Sequence, residues 1–298
     1  MLAAPGILAA PLVTSVPSPS YGHPDPRYSF FVDLNEMRAA MGVGAVRQDA
    51  RLDLAADLHL RYMQLNATIA HTEIEGNPGY TRADPYQQAL AAGAETNQWI
   101  GQATFRGELS GCFAYLANSV YHLQTLTSNQ ETIGLALRES ICVANFGVVS
   151  GIADGGYGLA QWGGQQMPLD AIAYYPTGRG RVPGTFSPAN EMPNPAPDLP
   201  LAGHPVMVRV NVAAPSDVLT VREFGLTGPT GSPVPVRLLV PSGAKPDSVS
   251  TAIEDSQLYR GVAFLLPEQP LAAGKYTATF VGARNGVPMV KSWQFSTF

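Results

Sequence analysis

Apolar residues recur at helical spacing in the first part of the chain, between residues 28 and 126. The spacing predicts four helices, because side chains three and four residues apart share one helix face. Asp49 and Asp84-Pro85 are typical of helix starts, and Gly42 and Gly93 are typical of helix ends. The four apolar stripes are Phe31, Leu34, Met37 and Met41; Leu52, Ala55, Leu58, Tyr62 and Ile69; the short segment 85–92; and Leu109, Cys112, Phe113, Leu116, Val120 and Leu123.

The pattern changes to strand-like alternation after residue 130. Apolar and polar residues alternate over 133–137, 141–149 and 157–162, which predicts three strands. Helices followed by a few strands indicate an α+β sandwich for this first domain.

A proline-rich stretch separates this domain from a second one. Eight prolines fall between Pro176 and Pro205, which predicts a semi-rigid, extended linker over 174–205. Further strands are predicted at 206–212, 218–226, 234–240, 261–266, 276–282 and 289–297, with turn residues between them. The sequence therefore predicts an N-terminal tail (1–27), an α+β domain (28–173), the linker, and an all-β sandwich (206–298).

Composition and charge narrow the classes of partner. Charged residues make up 14% of the chain and the formal net charge is −5, so the clustered positive face that nucleic acid needs is not expected. No stretch approaches 18 uninterrupted apolar residues, and we expect no transmembrane segment. Residues 1–19 are apolar and lack Lys and Arg. We interpret them as a flexible tail left after removal of a targeting signal peptide, or as a late start of the chain.

Common catalytic motifs are missing from the sequence. It contains no G-x-S-x-G, H-E-x-x-H, P-loop or dinucleotide-binding glycine run. Among the histidines, His23 and His204 are predicted to be solvated, and His59 is predicted to be a packing or surface residue of the second helix. His71 lies just past a helix end, and His122 follows the polar pair Asn118-Ser119, so these two are the candidates for chemistry.

Several short fragments follow one another in a characteristic order within residues 28–165. They are Leu34-Asn35-Glu36-Met37-Arg38, Gly42, Leu52, Ala55-Ala56, Ala70-His71, Gly79-Tyr80, Ala91-Ala92-Gly93, Asn118-Ser119-Val120-Tyr121-His122 and Ile133-Gly134-Leu135. In these fragments the region resembles the CAP superfamily, which is named for cysteine-rich secretory proteins, antigen 5 and pathogenesis-related proteins. The resemblance is to its short bacterial branch and implies an α-β-α sandwich with a cleft that holds two histidines and two acidic residues.

The resemblance assigns His71 and His122 to the two cleft histidines. Glu95 matches the first cleft acid, although the usual Gly-Glu-Asn run is absent there. The second acid has no clear counterpart: Ser119 stands where bacterial members also carry serine, and Glu108 is a distant candidate. His71 and His122 with a carboxylate are predicted to hold zinc or another divalent cation. A buried polar cluster that fixes the cleft wall, or a catalytic dyad, are the alternatives.

Cys112 and Cys142 form either one disulfide bridge or a pair of buried thiols. The low charge and the domain plan favour export, to a secreted, periplasmic or cell-surface location. The C-terminal domain resembles the immunoglobulin-like (Ig-like) modules appended to bacterial surface proteins.

Family membership implies extracellular binding of lipids or sterols, divalent metal, or other proteins, without implying a general enzymatic activity. The sequence therefore predicts an exported binding protein whose cleft takes a divalent metal ion or a small apolar ligand, with the Ig-like module making surface or partner contacts. The alternatives are a secreted hydrolase that uses a cleft histidine as general base, and a structural or adhesion protein with a vestigial cleft.

Overall fold

The computed structural model describes residues 10–178 and 180–298, which divide into two compact units. Unit 1 contains the described residues up to Leu116 together with Thr125–Gln166. Unit 2 contains Ala117–Gln124 and Met167–Phe298. The part of the predicted tail that falls on residues 1–9 lies outside the described residues.

Three helices of unit 1 agree with the predicted signals at one end or more. They are α1 (Pro26–Met41), α2 (Ala50–Leu65) and α3 (Pro85–Ala91). The first ends at Gly42, the second begins after Asp49 and the third begins after Asp84, but the first begins inside the predicted tail and the second ends before Ile69. Asp25, Asp49 and Asp84 accept hydrogen bonds from backbone amides of the first turns, and Gly42 ends α1 at a positive φ of 73°. These caps satisfy backbone groups that a helix end leaves without a partner.

Unit 1 also contains a five-stranded sheet with both parallel and antiparallel strand pairs. Its strands are β1 (Arg47–Gln48), β2 (Trp99–Arg106), β3 (Thr132–Arg138), β4 (Ile141–Val148) and β5 (Gly156–Tyr157), in the order β1-β3-β4-β2-β5. The helix α2 packs against β3 and β4. A Cβ atom at Gly134 would lie 2.1 Å from the backbone of Leu52, so glycine is what allows this close approach. Mixed helices and sheets confirm the predicted fold class for this region.

The described part of the predicted tail is packed rather than flexible. The carbonyl of Val13 accepts a hydrogen bond from the amide of Ala45, and the side chain of Gln165 accepts one from the amide of Val13 at 2.7 Å. Tyr21 is 5% exposed and its hydroxyl donates to Asp53. These contacts place residues 10–25 on unit 1, which corrects the prediction of a flexible tail.

Two long-range ties hold unit 1 together. Cys112 and Cys142 are disulfide-bonded, and this selects the first of the two states predicted for the cysteines. Arg38 is fully buried, and its guanidinium donates to the carbonyls of Gly44, Leu126, Val43 and Gln130. Each tie joins segments that lie far apart along the chain.

Unit 2 is rich in strands. One sheet has the order β13-β12-β14-β10-β6 and a second has the order β11-β15-β16-β7, while β8 and β9 pair separately. The strands are β6 (Ile172–Tyr175), β7 (Arg181–Val182), β8 (Thr185–Phe186), β9 (Ala202–Gly203), β10 (Val206–Val210), β11 (Leu219–Thr227), β12 (Val236–Pro241), β13 (Ile253–Asp255), β14 (Val262–Pro267), β15 (Gly274–Arg284) and β16 (Val287–Thr297).

An apolar cluster of buried strand residues lies in the interior of unit 2. Alternate residues of β10, β15 and β16 contribute to it, among them Val208, Phe280 and Trp293. This burial pattern is consistent with the predicted β-sandwich, whereas its Ig-like character stays a prediction.

The proline-rich stretch is part of this unit and not a free linker. β6 is an edge strand hydrogen-bonded to β10, and β7 pairs with β16. Proline removes backbone donors, which short and edge strands tolerate because few of their amides need partners. His204, at the end of this stretch, is 1% exposed, so the prediction that it is solvated is wrong.

Within the described residues, no helix is long and apolar enough to cross a membrane.

Candidate functional site

His71 lies in unit 1, on the loop that follows α2. The ring is half-buried, and its Nδ1 atom lies 2.9 Å from Oε1 of Gln102 on β2. The ring of Tyr157 lies 6.3 Å from it, centroid to centroid. Burial, with a smaller contribution from Asp84, raises the pKa of the Tyr157 hydroxyl to about 12, so this side chain is neutral near pH 7.

Two side-chain amides, linked by hydrogen bonds, determine which nitrogen of the His71 ring carries the proton. The carbonyl of Leu52 can only accept a hydrogen bond, so the atom of Asn145 that contacts it is the donor Nδ2. The Oδ1 atom of Asn145 is therefore directed toward Gln102. That oxygen accepts from Gln102 Nε2 at 3.0 Å, which leaves Gln102 Oε1 to accept from His71. His71 therefore carries a proton on Nδ1, and in the neutral ring the lone pair is on Nε2.

His59 and Glu73 form a second polar centre next to His71 in the sequence. Both side chains are fully buried, and His59 Nδ1 lies 2.8 Å from Glu73 Oε1. The other ring nitrogen lies 2.8 Å from the carbonyl of Ala70. His59 is thus buried and makes a hydrogen bond with each ring nitrogen. Its burial agrees with the predicted packing position, and its hydrogen bonds are a role that the helical spacing did not reveal.

His122 lies in unit 2, at the start of α5 (Tyr121–Leu126). Its partner is Glu191, whose carboxylate accepts from the backbone amides of Val120 and Tyr121 at 2.8 Å and of His122 at 3.2 Å. The Nδ1 atom of His122 also lies 3.2 Å from Glu191 Oε1, without the alignment of a hydrogen bond. Glu191 is 4% exposed, so a buried carboxylate anchors this part of the chain.

The predicted long fourth helix is divided. A turn of 3₁₀-helix (Leu109–Gly111) leads into α4 (Cys112–Ala117), and α5 begins after a break. Ser119, predicted as a cleft residue, is 2% exposed and its hydroxyl accepts from the amide of Leu123 at 3.2 Å. This bond caps the new helix, which gives Ser119 a structural role.

Glu95, predicted as the first cleft acid, is ion-paired with Arg51 at 2.8 Å, and its side chain is 57% exposed. Both residues border an open polar groove of about 330 Å³ that also includes Arg47, Asp49 and Glu131. The distant candidate Glu108 is exposed and precedes the 3₁₀ turn. The cleft assignment of Glu95 stays a prediction.

The side chains of the described residues do not assemble a metal centre. Within 10–178 and 180–298, no group of three or more His, Cys, Asp or Glu side chains is arranged to hold a metal ion. His71 and His122 belong to different units, and the residues that orient His71 Nδ1 are amides. The shared zinc site that the resemblance implies therefore stays a prediction.

The partners of the two histidines were not identified from the sequence. Gln102 and Asn145 lie opposite each other in the pairing of β2 with β4, and polar residues inside a buried strand are the signal that points to them. Glu191 lies 69 residues beyond His122 in the proline-rich stretch, and only the fold reveals this pairing.

A comparison with known protein families agrees with the resemblance. The Cysteine-rich secretory protein family (CAP) matches residues 33–140. A comparison with curated proteins finds no match.

Two solved structures were also found. An outer surface protein from Borrelia burgdorferi is 19% identical, with a TM-score of 0.37, over 43% of this chain and 95% of that chain. An extracellular protein containing a SCP domain from Bacillus anthracis is 17% identical, with a TM-score of 0.35, over 40% of this chain and 38% of that chain. The match over residues 33–140 identifies the first part of this chain as carrying a CAP domain.

Proposed function

We propose that this chain is an exported binding protein whose CAP domain binds a small amphiphilic ligand at His71. The observation that carries the proposal is the amide chain from Leu52 through Asn145 and Gln102 to His71. The predicted metal ion is the second candidate at the same imidazole.

The amide chain fixes the chemistry that His71 presents. Buried amides are costly unless their hydrogen bonds are satisfied, and Gln102 and Asn145 are 7% and 0% exposed. Both satisfy their bonds through each other, which leaves the half-buried ring with one defined tautomer. A neutral imidazole of this tautomer accepts a hydrogen bond at Nε2, which suits the hydroxyl group of a small molecule.

Exposed apolar side chains accompany this polar group. Ile69 and Ile74, on either side of His71 in the sequence, are 39% and 67% exposed, and Tyr157 is 41% exposed. Contiguous apolar surface is typical of sites that bind an apolar partner, and the proposal assigns that role to these side chains together. A ligand with a hydroxyl head and an aliphatic tail would satisfy both features.

The disulfide supports export. Disulfides persist in oxidising compartments and are rare in the cytosol. The bridge between Cys112 and Cys142 begins inside the region that matches the CAP family and ends two residues beyond it. We therefore place the protein outside the cytoplasm, as secreted, periplasmic or surface-exposed.

A divalent metal ion is the second candidate ligand of His71, because the same tautomer leaves the Nε2 lone pair available for coordination. Histidine ligands of metals usually donate their other ring N–H to an oxygen acceptor that orients the ring, and Gln102 Oε1 is such an acceptor. Zinc binding would need further ligands from solvent or from a bound molecule.

Calorimetric titration of the full chain with 1-decanol and, separately, with zinc chloride tests both candidates. We expect His71→Ala to abolish decanol binding and Gln102→Leu to weaken it by about tenfold, the effect of one hydrogen bond. His23→Ala is the matched control, because His23 is an exposed histidine of the same unit, and it should bind like the wild type.

Two results would contradict the proposal: no binding of decanol by the wild type, or equal binding by His71→Ala. Zinc binding that His71→Ala abolishes, with no decanol binding, would favour the metal instead. Turnover of ester, peptide or glycan substrates that is lost in His71→Ala or His122→Ala would favour the hydrolase alternative. Partner binding that survives both substitutions would favour the adhesion alternative.

A further inference from the structure

We propose that His59 is a positioning residue for His71, acting through the backbone of the loop that carries it. The proposal rests on the proposed function insofar as His71 contacts the ligand. It adds a residue that touches neither the ligand nor the ring of His71 and that determines where this ring lies.

The two contacts of His59 bracket His71 along the chain. One ring nitrogen lies 2.8 Å from the carbonyl of Ala70, the residue before His71, and the other lies 2.8 Å from the carboxylate of Glu73, two residues after it. A single rigid side chain on α2 therefore fixes the loop on both sides of the functional residue. Its own position is fixed because α2 packs against the sheet.

The bonds of His59 require the pair to hold one shared proton. The carbonyl of Ala70 can only accept, so His59 Nε2 carries a hydrogen. The Oε2 atom of Glu73 is occupied by the amide and the hydroxyl of Thr81, at 2.6 and 2.8 Å. A hydrogen must then lie between Nδ1 and Oε1, either as imidazolium with carboxylate or as neutral imidazole with carboxylic acid, and the pair is neutral overall in both forms.

This charge balance explains how the centre is tolerated inside the protein. Both side chains are fully buried, where an unpaired charge is strongly unfavourable. A glutamine at position 73 preserves every one of these bonds: its amide nitrogen donates to Nδ1 of a neutral His59, and its oxygen accepts from Thr81. Glu73→Gln is therefore the conservative variant, and Glu73→Ala is its disruptive counterpart.

The experiment is nitrogen NMR of the His71 ring in the ligand-free full chain. In the wild type we expect one tautomer, with the proton on Nδ1, because Gln102 accepts from it. His59→Phe, which keeps a planar ring of similar size, and Glu73→Ala should convert this signal into a mixture of both tautomers. Glu73→Gln should restore the single tautomer, a rescue that general destabilisation would not produce.

Tyr62→Phe is the matched control. Tyr62 lies one turn further along α2, and its hydroxyl accepts from the amide of Ile74 on the same loop at 2.9 Å. If Tyr62→Phe disturbs the His71 signal as much as Glu73→Ala does, tethering of the whole loop is responsible and the proposal for His59 is overturned.

A folded Glu73→Ala variant with an undisturbed His71 signal would overturn it as well. If His59→Phe fails to fold, the comparison of Glu73→Ala with Glu73→Gln decides the proposal alone.

Ligand titration separates this proposal from the proposed function. If the variants shift the His71 tautomer as expected and decanol and zinc nevertheless fail to bind the wild type, the positioning role stands and the proposed function fails. If binding is observed, Glu73→Ala should weaken it by about twofold for an equal mixture of the two tautomers, because the apparent affinity falls with the fraction of the competent tautomer. Glu73→Gln should bind like the wild type.

Discussion

The two units bury a histidine each in opposite ways. In unit 1, both nitrogens of His59 have hydrogen-bond partners, the carboxylate of Glu73 and the carbonyl of Ala70. In unit 2, neither nitrogen of His204 has a well-aligned hydrogen-bond partner among the residues that the structure describes. Burial lowers the pKa of His204 to about 3, against a smaller opposing effect of the Pro183 carbonyl.

The two units also differ in the contacts of other interior side chains. In unit 1, the buried amides of Gln102 and Asn145 form a network that ends at His71. In unit 2, alternate residues of the strands contribute to an apolar cluster. Satisfied polar networks specify one arrangement of side chains, and apolar packing supplies bulk stability. The amide network therefore belongs to the candidate site at His71, whereas the apolar cluster contributes to the stability of unit 2.

The largest expected effect comes from removing the main polar tie of unit 1. Arg38→Met would leave the carbonyls of Gly44, Leu126 and others without their donor in a fully buried position. We expect the free energy of unfolding to fall by about 3–5 kcal/mol, measured by urea titration with helical circular dichroism, which reports mainly on unit 1. Arg47→Met, at an exposed arginine of the same unit, should change it little, and equal effects of both variants would argue against the role of Arg38.

The disulfide provides the second test of unit 1. Replacing Cys112 and Cys142 with alanine opens a loop with a sequence separation of 30 residues. On the chain-entropy model this lowers the free energy of unfolding by about 3.5 kcal/mol. The same urea titration, run with and without a reductant, should show that reductant affects the wild type and leaves the double variant unchanged; a wild type that ignores reductant after full reduction would contradict the expectation.

The smallest effect concerns unit 2 and depends on pH. The unfolded chain protonates His204 near pH 6.5, but the folded chain does so only near pH 3. Stability therefore falls as the pH drops between these values, by about 1.4 kcal/mol per pH unit or about 2 kcal/mol between pH 6.5 and pH 5. Urea titrations at both pH values should show that His204→Phe removes this loss.

His23→Phe is the control for that pH test, because His23 is exposed and should leave the loss unchanged. A loss that persists in full in His204→Phe would assign the pH dependence to other groups.

The sequence predicted those elements whose signals are local. The helices α1, α2 and α3 were found because each has a recognisable cap residue, Gly42, Asp49 or Asp84, within a few residues of its apolar positions. The start of α1 and the end of α2 carry no such predicted signal. β2 was missed because the polar residues Gln102 and Thr104 interrupt its apolar run, although both are buried. Gln102 is the residue that orients His71. The polar residue that the candidate site needs is therefore the same residue that interrupts the strand pattern of β2.

The candidate site was predicted in part. His71 follows from the resemblance and from its place after a helix, but its amide partners, Gln102 and Asn145, come from strands far along the chain. The carboxylate that contacts His122 lies in a stretch whose prolines indicated a linker. Pairings of this kind depend on tertiary structure and leave no periodic signal in the sequence.

The carboxylate of Glu191 has a consequence for how this chain can be divided. Three consecutive backbone amides, at residues 120–122, receive their acceptor from it. A fragment that stops at residue 173, where the sequence suggests a boundary, would retain the segment that matches the CAP family and lose the group that completes its helix start. The region that matches the family therefore does not contain all the groups that its own backbone needs. We expect a fragment limited to that region to be less stable than the same residues in the full chain.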